Sequence, residues 1–141
     1  MERLRAPLIL VARLLLACIF VVEGWGKIVN YAGTAQYMQT YGIPPQLLPA
    51  VILTELGGGL LVASGWLTRW AALALAGFCL LTAVFFHTDF SDADQLIHFN
   101  KDLAIAGGFL VLVACGAGDW SLDAVRAGAR SRRHAARHAT T

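Results

Sequence analysis

Ionisable side chains are scarce in the apolar stretches of this sequence, and all but Arg13 recur at one level. Glu23 and Lys27 stand four residues apart near the end of one long apolar run, and Glu55 interrupts a second. His87 closes a third run, and His98, Asn100, Lys101 and Asp102 open a fourth. A charge near the centre of a bilayer costs at least about 2.5 kcal/mol, so such residues persist where they face one another inside a bundle. Three acids, Glu23, Glu55 and Asp102, stand against two bases, Lys27 and Lys101, and neutrality requires one carboxyl or one histidine to hold an additional proton. That chemistry is proton exchange. The structural counterpart is a network of interhelical ion pairs that fixes helix register and nothing more.

The elements that must position these groups are membrane helices. The chain has 141 residues, of which 57% are hydrophobic and 14% charged, and its mean hydropathy is +0.62. That balance excludes an ordinary soluble domain. Apolar runs at 7–28, 47–64, 68–86 and 99–117 each approach the roughly 20 residues that a helical span needs. They predict an all-α, up-down bundle of four membrane helices, with no room for a separate soluble domain. The segment from Tyr31 to Tyr41 is uncharged and sets Tyr37 and Tyr41 one turn apart, which predicts a short helix lying in the interface between the first two spans.

Arg3, Arg5, Arg69 and five arginines of the tail (Arg126, Arg130, Arg132, Arg133, Arg137) fall on one side of such a bundle. The loops on the other side carry no Lys or Arg, and the second holds Asp89, Asp92 and Asp94. Both termini are therefore expected in the cytoplasm. Trp66, Trp70 and Trp120 would mark the inner interface, and Trp25, Tyr31, Tyr37 and Tyr41 the outer. The apolar run after Arg13 passes through Cys18 to Val22, as in a retained first span rather than a cleaved signal peptide. Arg13 itself is expected to snorkel to the cytoplasmic head groups. The tail, residues 124–141, reads as an unstructured basic segment held against anionic lipid, with no nucleic-acid partner.

Depth and helix phase sharpen the polar cluster. Glu55 is eight residues after Leu47 and so about 12 Å in from the outer edge, while Lys101 and Asp102 are one turn in. Glu55 shares a face with Gly58, Gly59 and Val62, and Lys101 with Ile105 and Gly108, so both are expected to point inward along stripes of small residues. His98 and Asp102, four apart, would let the carboxylate orient the imidazole. Cys18, Cys79 and Cys115 lie in apolar runs without metal or disulfide spacing and read as small core residues. The half of the bundle on the Arg13 side is otherwise Leu, Val, Ala and Phe, which argues against a transport path through the membrane.

The order of motifs resembles the DoxX family of small four-helix membrane proteins. The resemblance is carried by Arg13-Leu14-Leu15-Leu16 through Phe20, Gly24 and Lys27, by Gly42-Ile43-Pro44, and by Glu55-Leu56-Gly57-Gly58-Gly59 running to Gly65-Trp66-Leu67-Thr68-Arg69. It is strongest in Asn100-Lys101-Asp102-Leu103-Ala104, Gly107-Gly108 and Gly116-Ala117-Gly118-Asp119-Trp120-Ser121-Leu122-Asp123. Asp102 stands where the family pattern has Asn, and Ala117 where it has Pro.

The resemblance implies a bacterial inner-membrane subunit of a quinone-linked redox complex, served by a partner protein that supplies electrons, with a homo-oligomer also compatible. Under that implication Glu55, Lys101 and Asp102 would carry the proton chemistry. Glu23, Lys27, His87, His98 and Asn100 would complete a quinone head-group site. No metal, haem or flavin is expected, since His87 and His98 flank one loop at the membrane edge, where a macrocycle would be poorly enclosed. The competing function is a non-catalytic anchor, scaffold or assembly subunit whose intramembrane charges are structural.

Overall fold

The computed structural model describes residues 2–138, and among these it contains helices and connecting turns but no strand. Four helices are long and apolar enough to cross a membrane. The first, α1, runs Glu2–Val29, and a ten-residue helix, α2, follows at Tyr31–Thr40. The second apolar helix, α3, spans Pro45–Ser64, and α4 is Thr68–Phe86. The fourth, α5, is Ala93–Cys115, and α6 is Leu122–His138.

These bounds correct several of the sequence's edges. The fourth span begins at Ala93 rather than 99, because the Asp92 carboxylate accepts from the Asp94 amide at 2.9 Å and starts the helix there. The acidic loop shrinks accordingly. Within it, the Ser91 hydroxyl and amide both donate to Asp89 and hold that carboxyl below its ordinary range. The segment expected to be an unstructured tail continues as helix to His138, in keeping with its run of alanines and arginines, good helix formers. Residues 139–141 lie outside the described residues.

The core is built by small residues that allow close approach. Ala71, Ala72, Ala76 and Ala83 form the buried face of α4, which packs along α5, and α1 packs on α3. Phe20 and Phe109 meet edge to face at 5.3 Å between Val62 and Leu75, both fully buried. Gly24 marks the tightest crossing, since a Cβ there would lie 2.8 Å from the Leu56 amide nitrogen. The cysteines divide: Cys79 is in this core, whereas Cys18 and Cys115 are on the outside of the bundle, correcting their reading as core residues. An apolar thiol costs nothing on a surface that faces lipid.

Arg13 does not snorkel. It is 1% exposed, and its guanidinium donates to the Ala117 carbonyl at 2.7 Å, the Trp120 carbonyl at 3.0 Å and the Ala63 carbonyl at 3.4 Å. These carbonyls lie at or just beyond the ends of α3 and α5, where helices leave acceptors without intrahelical donors. One cation thus joins three segments of chain. Gly65, at φ +72°, makes room for it, since a Cβ there would collide with the Arg13 guanidinium.

The same end carries a second long-range cap. Both oxygens of Asp123 accept from backbone amides at the start of α4, Leu67 at 3.0 Å and Thr68 at 3.1 Å, while the Asp123 amide donates to Gly65 at 2.9 Å. Leu67 is held at φ +49°, unfavourable for a branched side chain, and this carboxylate bond is part of what holds it. Ser121 caps α6, accepting from the Ala124 amide at 3.1 Å.

Replacing Arg13 by Leu is expected to lower stability by about 3 kcal/mol, because it strands buried carbonyls at helix ends. Gly65→Ala should act in the same direction through strain and the clash with Arg13. Thermal unfolding in mild detergent measures both, and an unchanged midpoint in Arg13→Leu would contradict this role.

Candidate functional site

At the end of the bundle away from Arg13, four helices and α2 surround a cavity of about 920 Å³. Its polar wall draws on α1 (Glu23, Lys27), α3 (Glu55), α4 (Thr82) and α5 (His98, Lys101, Asp102), together with His87 just past α4. Its apolar wall includes Phe20, Met38, Phe78 and Phe86. Seven of the eight sequence-selected residues therefore line one space. Asn100 does not; it is exposed and outside the cavity, because neighbours in sequence point about 100° apart on a helix.

Glu55 is the deepest of these groups at 5% exposure. It lies in a wide turn of α3, Leu53–Gly57, whose i→i+5 hydrogen bonding inserts an extra residue into the helix. Lys27 reaches across from α1 and sets its ammonium 3.0 Å from Oε1 and 2.9 Å from Oε2. The ammonium thus faces both carboxylate oxygens, and the pair links α1 to α3. Glu23 stands 3.5 Å from the same ammonium, but its side chain is 61% exposed, so it contributes little to holding the lysine.

The α5 groups are arranged differently from expectation. Asp102 does not orient His98. Its Oδ2 lies 3.0 Å from the Thr82 hydroxyl, which also reaches the Cys79 carbonyl at 2.9 Å. His98 instead meets Lys101, whose Nζ is 2.9 Å from Nδ1. An ammonium can only donate, so this contact makes Nδ1 the acceptor and leaves the ring proton on Nε2. Lys101 is exposed on the cavity rim rather than buried on the Gly108 stripe. The His98 ring stacks on His87 at 5.0 Å, and His87 Nδ1 donates to Gln95 at 2.8 Å.

Residues that the sequence did not single out complete the site. Thr82 is the one hydroxyl in the apolar interior of α4, beyond Thr68 at its start, and its one signal was its place one turn beyond Phe78 and Cys79 on the same face. Tyr37 and Phe86 stack with ring planes 9° apart and centroids 5.8 Å apart, and Tyr41 closes on both. The helix expected at Tyr31–Tyr41 is present as α2 and forms this aromatic edge. Partial burial, and then the neighbouring Tyr41, push the Tyr37 phenol up to about 12. Among the described residues no group of three or more His, Cys, Asp and Glu is placed to hold a metal ion.

Fold and site together define a small membrane protein of four apolar helices, with a polar cavity at one end and an arginine-tied core at the other. The DoxX family model matches residues 8–88, more than half of the chain, and the protein belongs to that family. The chain is 50% identical over 123 residues to the inner membrane protein YqjF of Escherichia coli K12, covering 87% of this chain and 95% of that one. It is 36% identical over 126 residues to the inner membrane protein YphA of the same organism, covering 84% and 90%. No solved structure matches. The family match ends before Asn100–Asp123, the stretch where the resemblance in sequence is strongest, while the alignment with YqjF is too long to fit within it.

Two outcomes test this geometry. Lys27→Met leaves Glu55 without its counter-charge and should destabilise the bundle by about 3 kcal/mol, whereas Lys27→Met with Glu55→Leu recovers most of the loss. Additive losses in that double variant would show that the pair is not coupled. In alkaline absorbance titration Tyr37 should ionise near pH 12, and Tyr37→Phe should remove that late component. Because the folded-state value is raised, Tyr37 disfavours unfolding fully below pH 10 and loses that contribution as pH rises from about 10 to 12.

Proposed function

We propose that the protein is a small inner-membrane subunit of a quinone-linked redox complex, and that the 920 Å³ cavity takes a quinone head group. The observation that carries this reading is convergence: polar groups from four helices, although paired with one another, line one open space beside a flat aromatic edge. A quinone head group is a flat ring with two acceptor oxygens. It needs apolar faces, donors in the plane and a route for protons. Phe78, Phe86 and Tyr37 offer the faces, and Lys101 and the Nε2–H of His98 offer donors.

Quinone bound in this way supplies two-electron, two-proton chemistry, with electrons coming from a partner protein. The chain's own residues bind, orient and manage protons. Lys101 or His98 holds a ring oxygen, while Glu55 and Asp102 exchange protons with it. The Lys27 ammonium supplies the counter-charge that faces Glu55. The Thr82 hydroxyl holds Asp102 by donating its single proton to Oδ2.

Orientation belongs to the same reading. Arg3, Arg5, Arg69, Arg126 and Arg130 cluster at the Arg13 end, and Asp89, Asp92 and Asp94 lie by the cavity, which supports an up-down bundle with both termini cytoplasmic. The names of the two E. coli proteins support the inner membrane. The cavity then faces the outer leaflet. A second reading, a non-catalytic scaffold, is favoured by one feature: Lys27 and Glu55 already neutralise each other across α1 and α3.

Quinone extracted from protein purified in mild detergent separates the two. Near-stoichiometric quinone in the wild type, falling at least about tenfold in Glu55→Gln and Lys101→Met, is the expected result. No bound quinone in any sample, and none after addition, would leave the scaffold.

A further inference from the structure

A second cavity, of about 550 Å³, opens at the Arg13 end of the bundle and is used by nothing described so far. Arg5 of α1 and Arg69 of α4 line it together, with Ile9, Trp70, Asp119 and Asp123. Both arginines stand in the first turns of helices long enough to span a membrane, which is where lipid head groups lie. This placement does not depend on which way the protein faces.

The two guanidiniums have work to spare. Among the described residues neither Arg5 nor Arg69 makes a side-chain hydrogen bond or ion pair, although each carries five donors. Of the two carboxylates in the same wall, Asp123 has both oxygens committed to the Leu67 and Thr68 amides. Those bonds leave the Asp123 charge in place, but the buried Arg13 guanidinium, which interacts electrostatically with it, offsets it, so Arg5 and Arg69 stand against Asp119. One positive charge is in excess, a match for a singly charged phosphodiester rather than for a phosphomonoester or free phosphate dianion.

The surroundings are those of a lipid rather than a soluble ligand. Trp70 is 73% exposed beside the cavity, and Trp66 and Trp120 are also exposed at this end, forming an interfacial aromatic belt. Ile9 brings apolar surface into the cavity wall itself. We propose that this cavity binds the phosphodiester of a membrane phospholipid between Arg5 and Arg69, with the acyl chains passing out along the bundle beside Trp70.

Native mass spectrometry of the full chain in mild detergent tests this, with phosphatidylglycerol, phosphatidylethanolamine and inorganic phosphate each added as probes. Saturable binding of one phospholipid per chain is expected with either lipid, because the phosphodiester is what the site reads. Arg5→Gln and Arg69→Gln should each weaken it about tenfold, whereas Arg130→Gln, at the same end but outside the cavity, should change it less than about twofold. The two cavity variants alter exposed side chains on different helices, so a folding defect in one does not remove the test. Wild-type lipid binding by both variants would overturn the proposal. Competition by inorganic phosphate as effective as by lipid would overturn it too, in favour of a soluble phosphate ligand.

Discussion

The bundle depends on a single rule of its solvent: inside hydrocarbon, every polar group must find its partner within the protein. Arg13 shows what the rule produces. A guanidinium lodged in the core would be prohibitive alone, and the carbonyls at the ends of two other helices would be nearly as costly without donors. Together the two terminal guanidinium nitrogens and these carbonyls offset most of each other's cost. The cation becomes the fastening between α1, the end of α3 and the segment after α5. Asp123 does the same for the opposite kind of orphan, accepting the free amides at the start of α4.

That economy divides the molecule. At the Arg13 end the buried charges bond to backbone and serve architecture, so much of the motif Gly65, Thr68, Ser121, Asp123 is explained by caps and turns. At the other end the charges bond to side chains and border open space. Between them lies the packed layer of Phe20, Val62, Leu75 and Phe109. The charges that cap backbone are thereby gathered at one end of the four helices, while at the other the Lys27–Glu55 pair both ties α1 to α3 and borders the cavity.

Much of this was legible from residue type and period. Run lengths located the four apolar helices, and the small-residue stripe placed Glu55 inward. The losses have definite causes. Arg13's partners are backbone carbonyls, which carry no side-chain signature, so its clamp was invisible. The start of α5 depended on an aspartate cap, which moved the boundary by six residues, from 99 to Ala93. Asn100 was adjacent to the site in sequence but not in helical phase. The partners of Asp102 and His98 depend on which of several nearby groups is closer, and spacing along one helix cannot report a threonine on another.

The caps at the Arg13 end also impose an order on biogenesis. A chain emerges from its N-terminus, so Arg13 is among the first charges delivered to the membrane, while Ala117 and Trp120, whose carbonyls receive it, are among the last residues made. Until they arrive, a long flexible side chain can shelter at the head groups, and α1 need not settle to its final depth. The amides opening α4 likewise await Asp123, more than fifty residues downstream. The bundle is thus latched by its final loop, and a nascent chain that stops short of it retains an unanswered cation as a built-in mark of incompleteness.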